Sequence, residues 1–482
     1  MIRLSIIVVL FAIILYLFIK NRTSITLFVI LILGLIGRLH LIQDPYLNTW
    51  DEKYHALVAK HLVKHPLKPT LYENPVLNFN PNHWTENHIW LSKPPLPLWM
   101  MATSIKILGP TTFAVRLPSL ILSLLAVYLT FLLGKILFNK KTGLIAAFLY
   151  AINGLLIELS AGIVSSDHVE NTFLILIQLS IYSIVYLNSH KKSSWWYCIP
   201  GIIIGLAFLS KWHISLIVFP IWGLTSLMNP HASFKILITQ ISVSILAFLI
   251  VISGWLIYIG ISFPVESKLM LNNLIKPFSE TIQNHGAEWY YYIQKIGVIF
   301  GELAYIPILA VIYFYYKNRA SNHALLLCWV FIPLIIFSLA ETKRFTYIMF
   351  SAPAIFMIIS DFLVNSSEKI QWSKWVKVFG AIALIGLPIK YHFERAKYDS
   401  IYSKDVINFN LWHGNLAQFS KDRNPEKTVI FNTRLAIEIM FYSDFTAYIF
   451  QPGKIQLNQL HDLGFTCYDY DNGNFTLIKS LR

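Results

Sequence analysis

Two short stretches hold the groups best able to do chemistry. The first is Asn48-Thr49-Trp50-Asp51-Glu52-Lys53-Tyr54-His55, and the second is Leu91-Ser92-Lys93-Pro94-Pro95-Leu96-Pro97-Leu98-Trp99. A carboxylate can take the proton of an attacking hydroxyl, and a lysine held at headgroup height can bind a phosphate. Asp51 closely follows an apolar span and stands near a helix N-terminus, which favours the ionised form that a general base needs. Lys93 precedes two prolines that force it into an extended, stiff presentation. Each stretch also has a plainer reading. Thr49-x-x-Glu52 spells a capping box, in which Glu52 reaches back to the free Thr49 amide. Lys93 could simply snorkel.

Other candidates lie further along. Asp167 follows Ser165-Ser166 and either orients a sugar or caps a helix. Lys343, Arg344 and Tyr347 offer a second cationic and hydroxyl group, and Lys211 stands at a turn between two short spans. His55 is one helical turn from Asp51 and can hydrogen-bond its carboxylate. His285, in His285-Gly286-Ala287-Glu288-Trp289-Tyr290-Tyr291-Tyr292, is either a metal ligand or a solvated loop histidine.

The elements that must position these groups are membrane helices. Of 482 residues, 56% are hydrophobic and only 13% charged, about half the charged share of a soluble protein. The formal charge of +14 is scattered over short loops, as anionic lipids and the positive-inside rule produce, so no patch favours nucleic acid. Cys198, Cys328 and Cys467 are far apart and read as free thiols. Apolar runs at 4–19, 25–42, 113–138, 143–161, 169–187, 197–209, 236–259, 296–316 and 376–389, with three more ending at 228, 339 and about 364, predict an α-helical polytopic membrane protein of about twelve spans. Residues 49–64 predict an amphipathic helix on the membrane, with Tyr54, Leu57, Val58 and Leu62 on one face. Lys53, Lys60 and Lys64 then point to headgroups, and Trp84, Trp90 and Trp99 suit the interfacial belt.

Lysine and arginine pairs fix the orientation. Lys20/Arg22, Lys140/Lys141, Lys191/Lys192, Lys235, Lys317/Arg319 and Lys369/Lys374 fall on one side, which is then cytoplasmic. Alternation gathers Asp51, Asp167, Lys211, His285 and Lys343 on the other. From about His392 the composition changes to a small α/β domain. Strands are expected at 428–432, 446–450, 465–469 and 474–479, and helices at 435–442 and 455–463. The division is thus 1–391, with a first outer loop at 44–112, and an extracytoplasmic 392–482 that shapes acceptor access.

In these motifs the chain resembles the GT-C glycosyltransferases of the protein-mannosyltransferase and aminoarabinose-transferase group. Asp51-Glu52, Lys93-Pro94-Pro95-Leu96, Gly109 to Ser119 with its Arg-Leu-Pro-Ser, Ser166-Asp167, Gly205 to Lys211, the His285 run and Lys343-x-x-x-Tyr347 match in order. The resemblance implies a GT-C fold and an inverting transfer from a polyprenyl-phosphate-linked sugar to an extracytoplasmic lipid, protein or glycan. It implies catalytic roles for Asp51, Glu52 and Asp167, and lipid-phosphate binding by Lys93, Lys211, Lys343, Arg344 and Tyr347. His55 and His285 are auxiliary, and no metal or cofactor is expected. Two departures stand out: the family's Asp-Glu-x-Arg-Tyr is Asp51-Glu52-Lys53-Tyr54-His55 here, and Ser92 replaces a carboxylate found in some relatives.

Two other classes compete. A glycolipid transporter or flippase would place ionisable groups near the bilayer midplane, whereas these cluster at one interface. A glycan ligase would share the fold and use a diphosphate-linked oligosaccharide.

Overall fold

The computed structural model describes residues 2–49, 51–78, 87–164, 167–230, 232–369, 399–471 and 473–479. Helices α1 (Ile2–Ile19) and α2 (Thr23–Ile42) are followed by α3 (Asp51–Leu62) and α4 (Pro95–Leu108), which together build the first outer loop. Pro94 caps α4 in extended conformation and Pro95 occupies its first turn, where a missing N–H costs nothing. Gly109, at φ 82°, closes α4. Thr111 then accepts the Ala114 N–H and starts α5 (Thr112–Leu137).

Asn139 caps α6 (Lys140–Ile152) in the same way. Asn153 breaks it: its side chain accepts the Leu156 N–H of α7 (Gly154–Ser160) and donates to the Ile299 carbonyl, where the two helices meet at 61°. Then come α8 (Asp167–Ser189), α9 (Cys198–Lys211), α10 (Val218–Leu227), α11 (Phe234–Ser262) and α12 (Pro264–Ser279). The bent pair α13 (Tyr291–Phe300) and α14 (Tyr305–Asn318), α15 (Ser321–Ser338) and α16 (Ala352–Lys369) complete the described bundle.

By length and composition, seven helical runs among the described residues can cross a membrane, or nine if each bent pair is one span. This is a multi-pass membrane protein. Three reasons separate that count from about twelve. The first span appears as the shorter apolar segment Val9–Ile19, and residues 376–389 lie outside the described residues, as does the boundary between 391 and 392. The expected sixth and seventh spans form one helical run, Ser194–Leu227, with Trp212 at φ 51° and a 3₁₀ stretch through Ile217 marking the turn.

A second core joins α3, α4 and the start of α5 to the C-terminal residues. There a sheet is ordered β2-β1-β3-β4, from β1 (Thr428–Phe431), β2 (Thr446–Ala447), β3 (Thr466–Asp471) and β4 (Asn474–Leu477). β1 is parallel to both β2 and β3, while β3 and β4 are antiparallel and turn through Gly473 at φ 92°. Helices Ala436–Tyr442 and Lys454–Asp462 stand where the periodicity places them, and a further helix, Asp399–Ser420, precedes the sheet.

This core corrects the membrane-surface reading of α3. Leu57, Val58 and Leu62 are buried in protein. Lys53 Nζ pairs with Glu438 Oε1 at 2.9 Å, and Lys60 Nζ donates to the carbonyls of Met440, Phe441 and Ser443, at the C-terminus of helix Ala436–Tyr442. Lys64 pairs with Glu73. Trp90 is buried against His55 rather than facing headgroups, and Trp99 donates to the Pro66 carbonyl; Trp84 lies outside the described residues. The C-terminal residues thus clasp the helix that begins with Asp51.

Candidate active site

Asp51 opens α3 and Lys93 lies just before α4, two helices that pack together. Lys93 Nζ donates to Asp51 Oδ2 at 3.2 Å, with the two side chains 31% and 28% exposed. Burial raises the Asp51 pKa, but Lys93, His55 and Arg344 outweigh it and hold the carboxyl below its ordinary value. Arg344 also donates to Gln283 Oε1 at 2.7 Å, so the α12–α13 connection supports it. Lys211, at the end of α9, pairs with Glu170 of α8 and stands over the rings of Tyr347, at 5.0 Å, and Phe173, at 5.6 Å. The Tyr347 ring packs on Phe337 at 5.2 Å. Lys93 and Arg344 lie within electrostatic reach of both Lys211 and Tyr347. Asp51, Lys93, Lys211, Arg344 and Tyr347 therefore converge: one ionised carboxylate against three cations and a phenol.

Glu52 does not join them. It is fully buried, accepting Arg116 Nε at 2.7 Å and Nη2 at 2.9 Å, His168 Nε2 at 2.9 Å, and the Asn48 N–H and Nδ2 at 2.6 and 2.7 Å. Burial pushes its pKa up, and the Arg116 guanidinium with His168 overrides that to bring it to about 2. With every outlet taken by protein, Glu52 has no route to a substrate. The expected catalytic role is corrected to a positioning one. The reach back to an amide is real but ends on Asn48 instead of Thr49.

Arg116 further donates to the carbonyls of Ile42, Asp44 and Tyr46, binding the exit of α2 to the entry of α3. The backbone at Gly162, φ +72°, passes so close that a Cβ there would stand 2.6 Å from Glu52 Oε1 and 2.7 Å from His168 Nε2. Asp44 is buried beside this network, its Oδ1 without a hydrogen-bond partner among the described residues. Desolvation, offset only in part by Arg116, raises its pKa to about 7.

Of the remaining candidates, Lys343 is corrected as well. It is buried and its ammonium donates to the Ala340 carbonyl at 2.6 Å, in the turn that follows α15. His285 has an exposed ring, and its carbonyl accepts the Lys343 N–H at 2.8 Å, beside a Gly286–Thr342 bridge that ties the two loops together. His55 is buried edge-on to Trp90. The Asp167 side chain lies outside the described residues, although its backbone begins α8. Among the described residues, no group of three or more His, Cys, Asp or Glu could hold a metal ion.

Arg116, His168, Glu170 and Asp44 are the residues that sequence reasoning left without roles. Arg116 had a signal: an arginine embedded in an apolar run needs a partner. Nothing in the sequence says that the partner is Glu52, 64 positions earlier.

Residues 92–258 match the family model described as dolichyl-phosphate-mannose-protein mannosyltransferase. A Yersinia enterocolitica protein described as undecaprenyl phosphate-alpha-4-amino-4-deoxy-L-arabinose arabinosyl transferase is 25% identical over 311 residues, 63% of this chain and 55% of that protein. Its Pseudomonas aeruginosa namesake is 24% identical over 275 residues, covering 55% and 49%. The chain thus spans about half the length of the curated relatives it matches. Among solved structures, ArnT from Cupriavidus metallidurans superimposes with a TM-score of 0.62 at 13% identity, over 95% of this chain and 93% of that one. The oligosaccharyltransferase AglB from Archaeoglobus fulgidus gives 0.60 at 15%, over 94% and 70%. The fold is the one these proteins share.

Proposed function

We propose that this chain, a GT-C fold protein of the aminoarabinose- and protein-mannosyltransferase group, is a glycosyltransferase. It moves a sugar from a polyprenyl-phosphate donor to an extracytoplasmic acceptor, a lipid such as lipid A, a protein or an envelope glycan. The relatives' names supply the donor class, and the single observation that carries the reading is the Asp51–Lys93 pair. A base and a phosphate-binding cation in mutual contact can part to serve the two ends of one transfer.

The chemistry follows from that pair. A donor phosphate competes with Asp51 for Lys93. Once Lys93 turns to the phosphate, Asp51 loses the partner that depresses its pKa and becomes a better base. Asp51 takes the acceptor hydroxyl proton, and the oxygen attacks the anomeric carbon from the face opposite the phosphate. The sugar–phosphate C–O bond breaks with its electron pair on the leaving oxygen, and configuration inverts. Lys93, Arg344 and the Tyr347 hydroxyl stabilise the growing charge on the polyprenyl phosphate. Lys211, already paired with Glu170, adds positive field and holds the Tyr347 ring. Arg344 supplies the guanidinium that the Asp-Glu-x-Arg-Tyr motif would have carried where Tyr54 stands. Those groups meet the charge of the leaving phosphate, so the reading calls for no nucleotide, metal or other cofactor.

On this reading the protein lies in the plasma (inner) membrane with Asp51 and residues 392–482 on the extracytoplasmic side. The test is single-turnover release of polyprenyl phosphate by purified protein given undecaprenyl-phosphate 4-amino-4-deoxy-L-arabinose and lipid A, with mass spectrometry of both products. Release that Asp51→Asn abolishes supports the reading. Full turnover by Asp51→Asn would place the base elsewhere. Failure with this pair, but transfer from another polyprenyl-phosphate sugar, would change only the sugar.

A further inference from the structure

A cavity of about 510 Å³ opens at the end of the bundle where α2 and α6 begin. α2 runs 20 residues from this cavity to the Asp51 side, about 30 Å at the helical rise, so the two sites stand on opposite faces. Arg22, Lys140 and Lys141 line it together with the polar groups of Asn21, Thr23 and Asn139.

These cations stand where helices disfavour them. Arg22 occupies the N-cap of α2, and Lys140 and Lys141 the first turn of α6. Neither helix has an acid in its first turn to offset the positive end of the dipole. The sequence holds no Asp or Glu before Asp44, nor any between Glu86 and Glu158. Among the described residues, none of the ion pairs includes Arg22, Lys140 or Lys141. Three cations and two helix N-termini thus meet in one cleft with no carboxylate among the described residues that line it, and the remaining wall is apolar, formed by Phe18 and Leu144.

We propose that this cleft is a binding site for a phosphate-bearing anion, of the kind an anionic phospholipid presents. The phosphate accepts from Arg22 and the two lysines and is favoured by both helix N-termini. Phe18 and Leu144 meet the start of an acyl chain. The bound anion relieves the repulsion between the α1–α2 and α5–α6 connections and holds the two ends together.

Native mass spectrometry and thermal unfolding of the detergent-purified protein test this, with phosphatidylglycerol, phosphatidylethanolamine and glycerol 3-phosphate as probes. The wild type should retain phosphatidylglycerol over phosphatidylethanolamine, be stabilised by it, and lose it in high salt. Arg22→Gln/Lys140→Gln/Lys141→Gln should weaken that binding by roughly tenfold or more, the scale for removing juxtamembrane cations. It should also unfold at a higher temperature than the lipid-free wild type, because the unfavourable helix-end charges are gone. Binding of undecaprenyl phosphate at the Asp51 face should be unchanged in this variant. Leu144→Asn separates the sources: it weakens the lipid alone if acyl contact matters, whereas equal binding of glycerol 3-phosphate identifies a soluble phosphate. Should the triple variant misfold, the salt dependence and lipid preference of the wild type still decide. Equal retention of both phospholipids, indifferent to salt, overturns the proposal.

Discussion

Arg116 grips Glu52 through two hydrogen bonds, Nε to Oε1 at 2.7 Å and Nη2 to Oε2 at 2.9 Å, with neither side chain exposed to solvent. The neighbouring carboxyl, Asp51, faces Lys93 and remains partly open. Adjacent acids on one helix therefore do different work. One fixes the helix start, and the other is presented to whatever enters the site.

The pair can be separated by substitution. Glu52→Gln leaves the buried Arg116 charge without its counter-ion, at a cost of about 3–5 kcal/mol for a broken buried pair. It should show as a large fall in thermal midpoint in detergent. Asp51→Asn keeps size and helix-start preference and should unfold like the wild type, while turnover drops by about 10²–10⁴-fold. A wild-type melting curve for Glu52→Gln would remove the positioning role.

Gly162 offers a second test of the same network. Gly162→Ala would press a methyl against Glu52 Oε1 and His168 Nε2 in a conformation with φ +72°. Gly464 has a similar φ of +79° with nothing within 4 Å of its Cβ position. Gly464→Ala should therefore cost only the backbone term, about 1–2 kcal/mol. Gly162→Ala should cost clearly more and reduce turnover as well, measured by paired melts and transfer assays. Equal losses would mean that the network yields freely.

Lys93 should set the acid limb of activity. Its charge helps to hold the Asp51 pKa below the ordinary carboxylate value against burial, which acts in the opposite direction. In Lys93→Ala burial dominates, so the acid limb of the single-turnover rate should move to higher pH. Donor affinity should fall by about 1.5–3 kcal/mol as a charged phosphate contact is lost. A limb that stays in place would assign the titration to another group.

Two buried carboxyls should shape stability in opposite senses. Glu52 titrates near pH 2 in the folded chain instead of 4.5, so its contribution is complete above 4.5 and is lost as the pH falls toward 2. Asp44 is raised from 3.8 to about 7, so the folded state holds a proton that the unfolded state has released. Stability from Asp44 therefore declines as the pH rises from 3.8 to about 7. Asp44→Asn should flatten that decline and raise the midpoint at pH 8 relative to wild type, in melts run from pH 4 to 8. An unchanged slope would mean that Asp44 is already ionised in its buried place.

Much of this protein is written locally. Spans are set by run length and hydropathy, the β3–β4 turn by Asp471-Asn472-Gly473, and the α4 start by Pro94-Pro95. The order of the motifs also places Asp51, Lys93, Lys211, Arg344 and Tyr347 on one face, and there the structure gathers them. Such signals depend on a residue and its near neighbours, so one chain suffices to read them.

Partner choice is not local. Whether a lysine meets headgroups, a carbonyl or a carboxylate depends on which surface the fold brings opposite it. Lys53 and Lys60 share the pattern of membrane-facing lysines, yet helix Ala436–Tyr442 docks on them from 380 to 385 residues away. Lys343 has the look of a phosphate ligand but is buried, donating to the Ala340 carbonyl just past α15. Asp51 and Glu52 are equivalent by type and position. Only the arrival of Arg116 from α5 and His168 from α8 buries one of them, because a buried carboxylate is tolerated solely where donors converge, and that convergence is a property of the packed helices.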